Sequence, residues 1–446
     1  MSNLSIIIIG AGKGTRMKSN ISKLLHKVGN LEMINHVIAT AKQLDPQEIC
    51  VVCSEENINE IKKNITDDIK TTIQYDRLGT AHATNTGYTA LSHKDNNILI
   101  MYGDGPLITV ETYQKLIDTL NNSNASIVDL GFNTANIENK YGRLITNNDD
   151  LEKIVEYKDA SEDIRNITLC NAGILAVRGG LIENLLKQVK NDNASKEYYL
   201  TDIIDLAKKD GGVCKYIIAT EDEVMGINSR YELSIAEKIF QDKKRKEFML
   251  KGVTMIDPSS VYFSYDTEIE NDVVIEPNVV FLPKVKIASN VVIHSFSYLE
   301  DCVIESGVSV GPFARIRPKT TLKENAHIGN FVEIKKSTIG EGTKIGHLTY
   351  IGDTTIGKNT NIGAGCITCN YDGFSKHPTT IGNNCFIGSN TVMVAPINLE
   401  DGCLTGAGSI ITKDVKTDDI AIARADQKNL EKKAISYRKN KESNKK

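Results

Sequence analysis

The C-terminal part of the chain carries an apolar residue at every sixth position, with occasional steps of five. An α-helix cannot use this period, because six positions rotate the chain by about 600° and no single face stays buried. A parallel β-helix can, since each hexapeptide forms one flat side and points one side chain inward. The sequence therefore predicts a parallel β-helix after residue 257. The predicted inward residues are Ile269, Ile275, Phe281, Ile287, Ile293, Leu299, Ile304, Val310, Ile316, Leu322, Ile328, Ile334, Ile339, Ile345, Ile351, Ile356, Ile362 and, after an interruption, Ile381, Ile387, Met393, Leu399, Leu404 and Ile410.

The N-terminal part has a different pattern. Short apolar runs alternate with amphipathic stretches up to about Ser229, which is typical of an α/β domain with a mostly parallel, Rossmann-like sheet. Ligands of such sheets bind beyond the carboxyl ends of the strands. The segment 230–251 has no Gly or Pro and predicts a helix that joins the two parts. Strands are predicted over 6–9, 49–53, 98–102, 126–130 and 173–177, and helices over 33–44, 81–91, 110–120 and 181–189.

These patterns divide the 446 residues into an α/β domain over 1–228, a linker helix over 229–252, and an all-β domain with a basic tail over 253–446. The segment 427–446 has seven Lys and one Arg against two Glu, a net charge of +6. We interpret this tail as a solvated end, with attraction of a phosphate-rich ligand as the alternative. The net charge of the whole chain is only -4, so no global field favours nucleic acid or a membrane.

The nine cysteines are predicted to be reduced, cytoplasmic thiols. The sequence shows no leader segment and no apolar run near the roughly 18 residues of a membrane span. Cys50/Cys53 and Cys366/Cys369 have CxxC spacing, but a tetrahedral zinc site would require both pairs to converge. We therefore favour packed thiols over zinc.

A glycine-rich loop, GAGKGTRM, follows the first predicted strand at residues 10–17. Glycines allow backbone N–H groups to approach phosphate oxygens, and Lys13 and Arg16 add positive charge. The loop is not a Walker motif, because Gly14 stands where Ser or Thr is required, and the dinucleotide fingerprint requires Gly in place of Thr15. Such a loop does not by itself establish nucleotide binding, which depends on the motifs that follow it.

This loop and several later motifs resemble the nucleoside-diphosphate-sugar pyrophosphorylases. The motifs are GAGKGTRM at 10–17, SKLL at 22–25, LGTAHA at 78–83, MYGDGPL at 101–107, YGR at 141–143, YLTD at 199–202 and GIN at 226–228, with Gln74, Glu156 and Asn171. The resemblance implies transfer of a nucleotidyl group to a sugar 1-phosphate. The residues that it implies for binding UTP and UDP-N-acetylglucosamine are Gly12, Lys23, Gln74, Gly79, Thr80, Tyr102, Gly142, Glu156, Asn171 and Asn228.

The expected chemistry explains the cationic residues of these motifs. Nucleotidyl transfer places negative charge on the α-phosphate and on the departing pyrophosphate, so cations and positioning provide most of the catalysis. The resemblance implies that Arg16 and Lys23 clamp the triphosphate, and that Mg²⁺, which prefers oxygen ligands, binds Asp104 and Asn228. The departures from the family pattern, which bear on fine substrate preference, are Gly10, Ser22, Ala172 and the run Tyr75-Asp76-Arg77.

The hexapeptide series resembles the left-handed β-helix acyltransferases. The two parts together resemble the bacterial family of bifunctional N-acetylglucosamine-1-phosphate uridylyltransferases/glucosamine-1-phosphate N-acetyltransferases, most densely from GPFARIRP at 311–318 to CNYDG at 369–373. This resemblance implies the left hand of the β-helix, which the six-residue period alone does not fix. It also implies a homotrimer in which the acetyl-CoA sites lie between the β-helices of neighbouring subunits.

A second active site follows from the same resemblance. Acetyl transfer to an amine requires a proton acceptor near pH 7, which histidine supplies. His347, in GHLTY at 346–350, matches the catalytic base, and Glu333 is expected either to orient it or to favour its protonated form. We interpret His294 and His327 as structural and His82 as packing. The expected sugar-phosphate residues are Arg317, Lys335, Tyr350 and Asn361, and the expected acetyl-CoA residues are Asn370, Tyr371, Ser389, Ala407 and Arg424.

The leading hypothesis is a bifunctional cytoplasmic enzyme of UDP-N-acetylglucosamine synthesis, which feeds peptidoglycan and lipopolysaccharide. It acetylates glucosamine 1-phosphate with acetyl-CoA, then transfers UMP from UTP to N-acetylglucosamine 1-phosphate and releases pyrophosphate. One alternative is a pyrophosphorylase alone, with a regulatory or oligomerising β-helix. The other is a scaffold without enzymatic activity.

Overall fold

The computed structural model describes residues 3–444, and the chain forms two compact units, Met1–Lys243 and Lys244–Lys446. Lys445 and Lys446, which end the predicted basic tail, lie outside the described residues.

The first unit is built around one nine-stranded sheet. Its strands, and the β2-β3 hairpin beside the sheet, are β1 (Leu4–Ile9), β2 (Lys27–Val28), β3 (Leu31–Glu32), β4 (Glu48–Cys53), β5 (Lys70–Ile73), β6 (Asn97–Tyr102), β7 (Ala125–Asn133), β8 (Arg143–Asn147), β9 (Asp150–Val155), β10 (Leu169–Val177) and β11 (Val213–Ala219). Its helices are α1 (Met33–Gln43), α2 (Ile58–Asn64), α3 (Thr80–Ala90), α4 (Val110–Asn121), α5 (Glu162–Arg165), α6 (Ile182–Gln188), α7 (Asp202–Lys209), α8 (Glu221–Val224) and α9 (Arg230–Leu250), which ends in the second unit.

The sheet order places β1 and β6 side by side in its interior: β5-β4-β1-β6-β10-β7-β11-β9-β8. The strands β5, β4, β1 and β6 are mutually parallel, whereas β10 runs antiparallel between β6 and β7. The apolar strand β1 is buried from Leu4 to Ile8, as expected of a strand covered on both faces. The carboxyl ends of β1 and β6 therefore open at one edge, where the glycine-rich loop begins.

The predicted strands and helices of the first unit are all present, and its α/β class is confirmed. The largest difference is in β10, which begins at Leu169 rather than at residue 173 and carries a bulge between Asn171 and Leu175. The sequence pattern omitted β5, β8, β9 and β11. These strands mix polar and apolar residues because they are partly exposed, so their composition resembles that of loops.

The second unit is a parallel β-helix with three sheets, as the six-residue period predicts. The first sheet contains β12 (Thr254–Met255), β14 (Val274–Ile275), β17 (Val292–Ile293), β20 (Ser309–Val310), β23 (His327–Asn330), β26 (Lys344–His347), β29 (Asn361–Ile362), β32 (Phe386–Ile387), β35 (Leu404–Thr405) and β37 (Ile420–Ala421). The second sheet contains β13 (Glu268–Ile269), β16 (Val285–Ile287), β19 (Cys302–Ile304), β22 (Thr320–Leu322), β25 (Thr338–Ile339), β28 (Thr354–Ile356), β31 (Thr379–Ile381) and β34 (Ile397–Leu399). The third sheet contains β15 (Val280–Phe281), β18 (Tyr298–Leu299), β21 (Arg315–Ile316), β24 (Glu333–Lys335), β27 (Tyr350–Gly352), β30 (Ile367–Cys369), β33 (Val392–Val394) and β36 (Ile410–Ile411).

The inward-facing residues form the core of this unit. Every predicted inward residue through Leu399 is buried, with no more than 8% of its surface exposed. The last two predictions are wrong by one position, because Thr405 and Ile411 are buried whereas Leu404 is half-buried and Ile410 is 55% exposed. The inward position is occupied by the polar Thr405. A pattern that selects apolar residues therefore picks the neighbouring Leu404 instead.

After Ile269, one corner of the β-helix absorbs the changes in chain length. From there the chain visits the second, first and third sheets in turn, and the steps from second to first and from first to third are six residues. The first coil differs, because a 3₁₀ turn at Pro258–Ser260 lengthens its step from the first to the third sheet. The predicted interruption begins later than expected, because Thr368 is buried six residues after Ile362 and the insertion ends at Ile381. The insertion and all shortened steps lie between the third and second sheets. The shortened steps separate Leu299 from Ile304, Ile334 from Ile339, Ile351 from Ile356, and Ile411 from Val415.

Other features bear on the cysteine and tail predictions. All nine cysteines are free; Cys50 and Cys53 lie in the first unit, and Cys366 and Cys369 in the second. Burial raises the pKa of the Cys53 thiol to about 12, which suits a packed thiol rather than a thiolate. Within residues 3–444, no helix has both the length and the apolar character to cross a membrane. The helix α10 (Lys433–Ser443) of the basic tail is exposed throughout.

Candidate active sites

The glycine-rich loop follows β1 and is fixed by hydrogen bonds from three directions. The Gly10 N–H donates to the Val52 carbonyl at 2.8 Å, and its own carbonyl accepts from Asn57 Nδ2 at 2.9 Å. Arg77 Nε donates to the Ala11 carbonyl at 3.0 Å. A Cβ atom at position 10 would lie 2.8 Å from a Leu24 methyl group and 3.1 Å from the Val52 carbonyl oxygen, so a larger residue here would require the Leu24 side chain to shift.

A cavity of about 310 Å³ opens beside this loop. It lies at the carboxyl ends of β1 and β6, where ligands of open α/β sheets bind. Arg77, which sequence reasoning treated only as a departure, also lines the cavity. The predicted site residues in its wall are Gly12, Lys23, Gln74, Gly79, Thr80, Tyr102 and Asp104.

Two predicted metal ligands converge on a lysine in this wall. The Lys23 ammonium group contacts Asp104 Oδ2 and lies 3.1 Å from Asn228 Oδ1. The Ile227 N–H donates to the Asp104 carbonyl at 3.0 Å, which joins the segment after β6 to the one before α9. Both oxygens are therefore already arranged around a cation. Among the described residues, no cluster of three or more His, Cys, Asp or Glu could hold a metal ion.

The start of α3 forms another wall of the cavity. Gly79 has φ +126°, and a Cβ atom there would lie 2.5 Å from the Tyr198 carbonyl oxygen, so this position requires glycine. Gln74 Nε2 lies 3.3 Å from the Gly79 carbonyl and 3.0 Å from His82 Nδ1. His82, interpreted from the sequence as packing, thus also holds the amide of a predicted uridine-binding residue.

A second cavity of about 290 Å³ shares Thr80, Tyr102 and Glu197 with the first. Its lining includes the predicted residues Gly142, Glu156 and Asn171. Burial raises the pKa of the Glu156 carboxyl, which accepts a hydrogen bond from the Thr201 hydroxyl at 3.0 Å. The Asn171 side chain accepts from the Gly173 N–H at 2.6 Å, at the bulge of β10. The bulge thus places polar groups in the floor of the cavity.

Two arginines of the matched motifs lie elsewhere. Arg16, predicted to clamp the triphosphate, is exposed on a short 3₁₀ turn (Thr15–Met17) and is not among the described residues that line either cavity. Arg143 is completely buried, and its guanidinium group donates to the carbonyls of Ile137 and Arg165. Arg143 therefore stabilises a loop rather than contacting a ligand.

In the second unit, His347 ends β26 and is exposed. Its Nδ1 atom lies 2.5 Å from Asn330 Oδ1 on the preceding coil. Glu333, expected to orient this histidine, instead accepts a hydrogen bond from Arg317 Nη1 at 2.7 Å. The structure thus gives the histidine a neutral partner that sequence reasoning missed.

A cationic cluster lies across the next corner, on the third sheet. The neighbouring Lys376 side chain is the main cause that lowers the pKa of Lys335, and the charge of Arg317 adds to it. Sequence reasoning missed Lys376, although a lysine in the insertion after Asn370-Tyr371 was a detectable signal. Three cations facing one another favour an anionic ligand.

The remaining predicted residues occupy different surroundings. Tyr350 is half-buried on β27, and Asn361 is half-buried on β29. The Asn370 side chain is 6% exposed and donates to Asp353 Oδ2 at 2.6 Å, which anchors the insertion. Tyr371 is 60% exposed, and its hydroxyl donates to the Gly373 carbonyl at 2.6 Å.

Three of the residues predicted to bind acetyl-CoA, Ser389, Ala407 and Arg424, follow one corner of the β-helix over successive coils, whereas Asn370 and Tyr371 lie in the insertion at another corner. The Gly365 N–H donates to the His347 carbonyl at 3.2 Å, and the Gly408 N–H donates to the Ser389 carbonyl at 2.8 Å. Arg424 Nη1 donates to the Ala407 carbonyl. Neighbouring strands are about 4.8 Å apart, so this corner forms a continuous edge from the histidine to Arg424.

Comparisons with known proteins agree with these two units. The models that match are a MobA-like NTP transferase domain over residues 6–143, a bacterial transferase hexapeptide (six repeats) over 266–300, a GMPPB C-terminal domain over 298–376, and a hexapeptide repeat of succinyl-transferase over 378–413. Fold and sites together define a nucleotidyltransferase joined to a hexapeptide-repeat transferase with a left-handed β-helix.

Curated relatives match nearly the whole chain. A bifunctional protein GlmU from Paramagnetospirillum magneticum is 43% identical over 98% of this chain and 97% of the relative. Those from Zymomonas mobilis and Sinorhizobium medicae are 44% and 46% identical, covering 98% and 94% of this chain and 98% and 92% of the relatives. The chain belongs to the bifunctional GlmU family. This membership confirms the predicted function, a uridylyltransferase and an acetyltransferase of UDP-N-acetylglucosamine synthesis in one chain.

Proposed function

We propose that the two cavities of the first unit bind UTP and N-acetylglucosamine 1-phosphate side by side, and that the β-helix binds glucosamine 1-phosphate and acetyl-CoA around His347. The observation that carries this assignment is that each unit has cationic side chains at its candidate site, where a phosphate group could bind. In the first unit it is Lys23 beside Asp104; in the second it is the cluster of Arg317, Lys335 and Lys376. Both reactions use phosphorylated substrates, and both cationic groups suit phosphate.

In the first unit, the sugar phosphate attacks the α-phosphorus of UTP, and the bond to pyrophosphate breaks. The attacking oxygen is already ionised, so no general base is required. Lys23 neutralises the triphosphate, and the exposed Arg16 engages it from the solvent side. Gln74, Gly79 and Thr80 hold the uridine end, while the sugar lies beside Glu156 and Asn171.

The oxygens of Asp104 and Asn228 fit Mg²⁺, since they already converge on the Lys23 ammonium and since Mg²⁺ often takes few protein ligands. When bound, Mg²⁺ supplies positive charge to the phosphate oxygens. Lys23, once it leaves these oxygens, is free to bind phosphate.

In the second unit, His347 Nε2 takes a proton as the substrate amine attacks the thioester carbonyl of acetyl-CoA. The new C–N bond forms and the C–S bond breaks, and the coenzyme A sulfur leaves with the proton that His347 returns to it, which gives the free thiol. Arg317, Lys335 and Lys376 hold the sugar phosphate, with Tyr350 and Asn361 beside the sugar. Asn370 and Tyr371 shape the insertion that covers the amine. Ser389, the Ala407 N–H and Arg424 bind acetyl-CoA along the corner that continues from His347.

The proposed enzyme is a cytoplasmic homotrimer. An exposed apolar column supports self-association: the rings of Phe296 and Phe313 stack at 4.8 Å, and those of Phe313 and Phe331 at 5.1 Å. Each of these residues is about half exposed and has a positive φ, a conformation that bulky residues rarely adopt. Leu348 extends the column beside His347.

The two activities are tested by supplying the substrates of each reaction separately. Thiol release from acetyl-CoA with glucosamine 1-phosphate should fall at least about 10²-fold in His347→Ala, as expected for a general base, while pyrophosphate release stays unchanged. Asp104→Ala should abolish pyrophosphate release and leave thiol release intact. His327→Ala is the matched control on the neighbouring coil. Unchanged thiol release in His347→Ala, or unchanged pyrophosphate release in Asp104→Ala, would contradict the assignment.

A further inference from the structure

The hydrogen bond between Asn330 and His347 has a regular structural origin. Asn330 ends β23 and His347 ends β26, and the two residues are register partners on adjacent coils. The Leu348 N–H also donates to the Asn330 carbonyl at 3.0 Å, so backbone bonds on the same pair of coils fix the separation of the two side chains. Asn330 Oδ1 lies 2.5 Å from His347 Nδ1. The asparagine is therefore held in place by the β-helix itself.

We propose that Asn330 is a positioning residue that fixes the tautomer of His347. An amide oxygen only accepts hydrogen bonds, so the His347 atom that faces it, Nδ1, must carry the proton. In the neutral ring Nε2 then keeps its lone pair, which is the atom required to accept a proton from the substrate amine. This inference rests on the proposed role of His347 as the base.

The surrounding charges show what a neutral partner adds. Burial, followed by the charges of His294, Lys344 and His347, lowers the pKa of His327 on β23, so basic groups already lie close together on this face of the first sheet. The following coil presents no charged residue from 361 to 366. Glu333, on the third sheet, is paired with Arg317. A neutral amide thus selects a tautomer without the negative charge that would favour the protonated imidazolium.

The first test observes the tautomer directly. In protein labelled with ¹⁵N-histidine and assigned with His347→Gln, the His347 signals should report a protonated Nδ1 and an unprotonated Nε2 above pH 7. In Asn330→Ala the two tautomers should mix, because the selecting acceptor is gone. His327→Gln is the control for the neighbouring ring and should leave the tautomer unchanged. The inference is overturned if wild-type His347 carries its proton on Nε2, or if Asn330→Ala changes nothing.

The second test uses kinetics of acetyl transfer. Asn330→Ala should lower kcat about tenfold or more with little change in KM for acetyl-CoA, since only the base is misplaced. Asn330→Asp should restore part of the rate but move the acid limb of the pH profile upward by about one pH unit, because a carboxylate favours the imidazolium. Equal losses and identical pH profiles in both variants would show a merely structural role. Pyrophosphate release by the same samples reports correct folding of the first unit, and absence of acetyl transfer in wild type would contradict the proposed function while leaving the tautomer result readable.

Discussion

Lys23 binds the same oxygens that suit the metal ion. Its ammonium group contacts Asp104 and Asn228, and its side chain is only 11% exposed. A cation must therefore displace this lysine to reach both oxygens. A nucleotide that attracts Lys23 to its phosphates would open the site, which couples binding of nucleotide and metal.

We predict that Lys23→Met binds Mn²⁺ more tightly than wild type in the absence of nucleotide. The gain should be about tenfold, because a charge-assisted hydrogen bond of about 1.5 kcal/mol no longer competes. Titration followed by the electron paramagnetic resonance of free Mn²⁺ measures the affinity. Lys13→Met, on the exposed part of the same loop, is the control. Weaker binding in Lys23→Met would show that the lysine supports the metal site instead of occupying it.

Asp129 on β7 is a second residue whose environment is unusual. It is completely buried, and neither carboxylate oxygen has a hydrogen-bond partner among the residues that the structure describes. Burial raises its pKa well above the ordinary value, with Glu156 as a further cause. The folded protein therefore keeps a proton that the unfolded chain releases, so stability falls as pH rises above the unfolded pKa of about 3.9.

We predict that Asp129→Asn stabilises the first unit by an amount that grows between pH 5 and pH 8. The slope should approach about 1.4 kcal/mol per pH unit, the linkage value for one proton. Urea unfolding followed by circular dichroism at 222 nm measures this unit, which contains most of the helices. Asp67→Asn, at an exposed carboxylate, is the control. Parallel stability curves for wild type and Asp129→Asn would contradict the argument.

Residue identity provided candidates for the sites but not their contacts. The motifs singled out Lys23, Asp104 and His347, because phosphate and acyl chemistry restrict the residue types. They did not show that Asn330 rather than Glu333 contacts the histidine, or that Lys376 joins the cationic cluster. These contacts join residues on neighbouring coils of the β-helix. A local sequence motif does not show which residues of two coils lie next to each other.

At the scale of elements, the six-residue period predicted the β-helix core, because each inward position lies at a fixed place on its coil. It failed at Thr405 and Thr368, which occupy inward positions in place of apolar residues, because the pattern shows where apolar residues recur and not which side chains point inward. In the first unit, central strands such as β1 were evident as continuous apolar runs. The partly exposed strands β8 and β9 were not, because pairing with neighbours and not composition makes them strands.

The corrected register of the last coil gives a direct prediction. Ile411→Ala should destabilise the β-helix by about 2–4 kcal/mol through lost burial and a cavity, because Ile411 is 4% exposed. Ile410→Ala, one residue earlier and 55% exposed, should change stability by less than about 0.5 kcal/mol. Calorimetric unfolding of the two variants compares them. A larger effect for Ile410→Ala would restore the original register.

At the scale of the whole molecule, the proposed trimer and the acetyl site share the phenylalanine column. We predict that Phe313→Glu converts the trimer to monomers and reduces acetyl transfer at least about tenfold, because a charge at a packed apolar contact is costly. Pyrophosphate release should persist, since its residues lie in the first unit. Sedimentation velocity gives the oligomeric state. Val303→Glu, on the outward side of the second sheet, is the control.

A trimeric Phe313→Glu protein with full acetyl transfer would exclude this column from the interface. A monomeric variant that still transfers acetyl groups at the wild-type rate would show that each subunit holds a complete acetyl site.

The single corner that absorbs changes in chain length has a consequence for how such enzymes diversify. The insertion and the shortened steps at this corner leave every inward side chain facing the core, and after Ile269 the other two corners keep a constant length. The segment with Asn370, Tyr371 and Lys376 can therefore change in length and sequence while the core of the β-helix stays the same. New acceptor preferences can be grafted at this corner without redesigning the core, and natural insertions and deletions should accumulate there first.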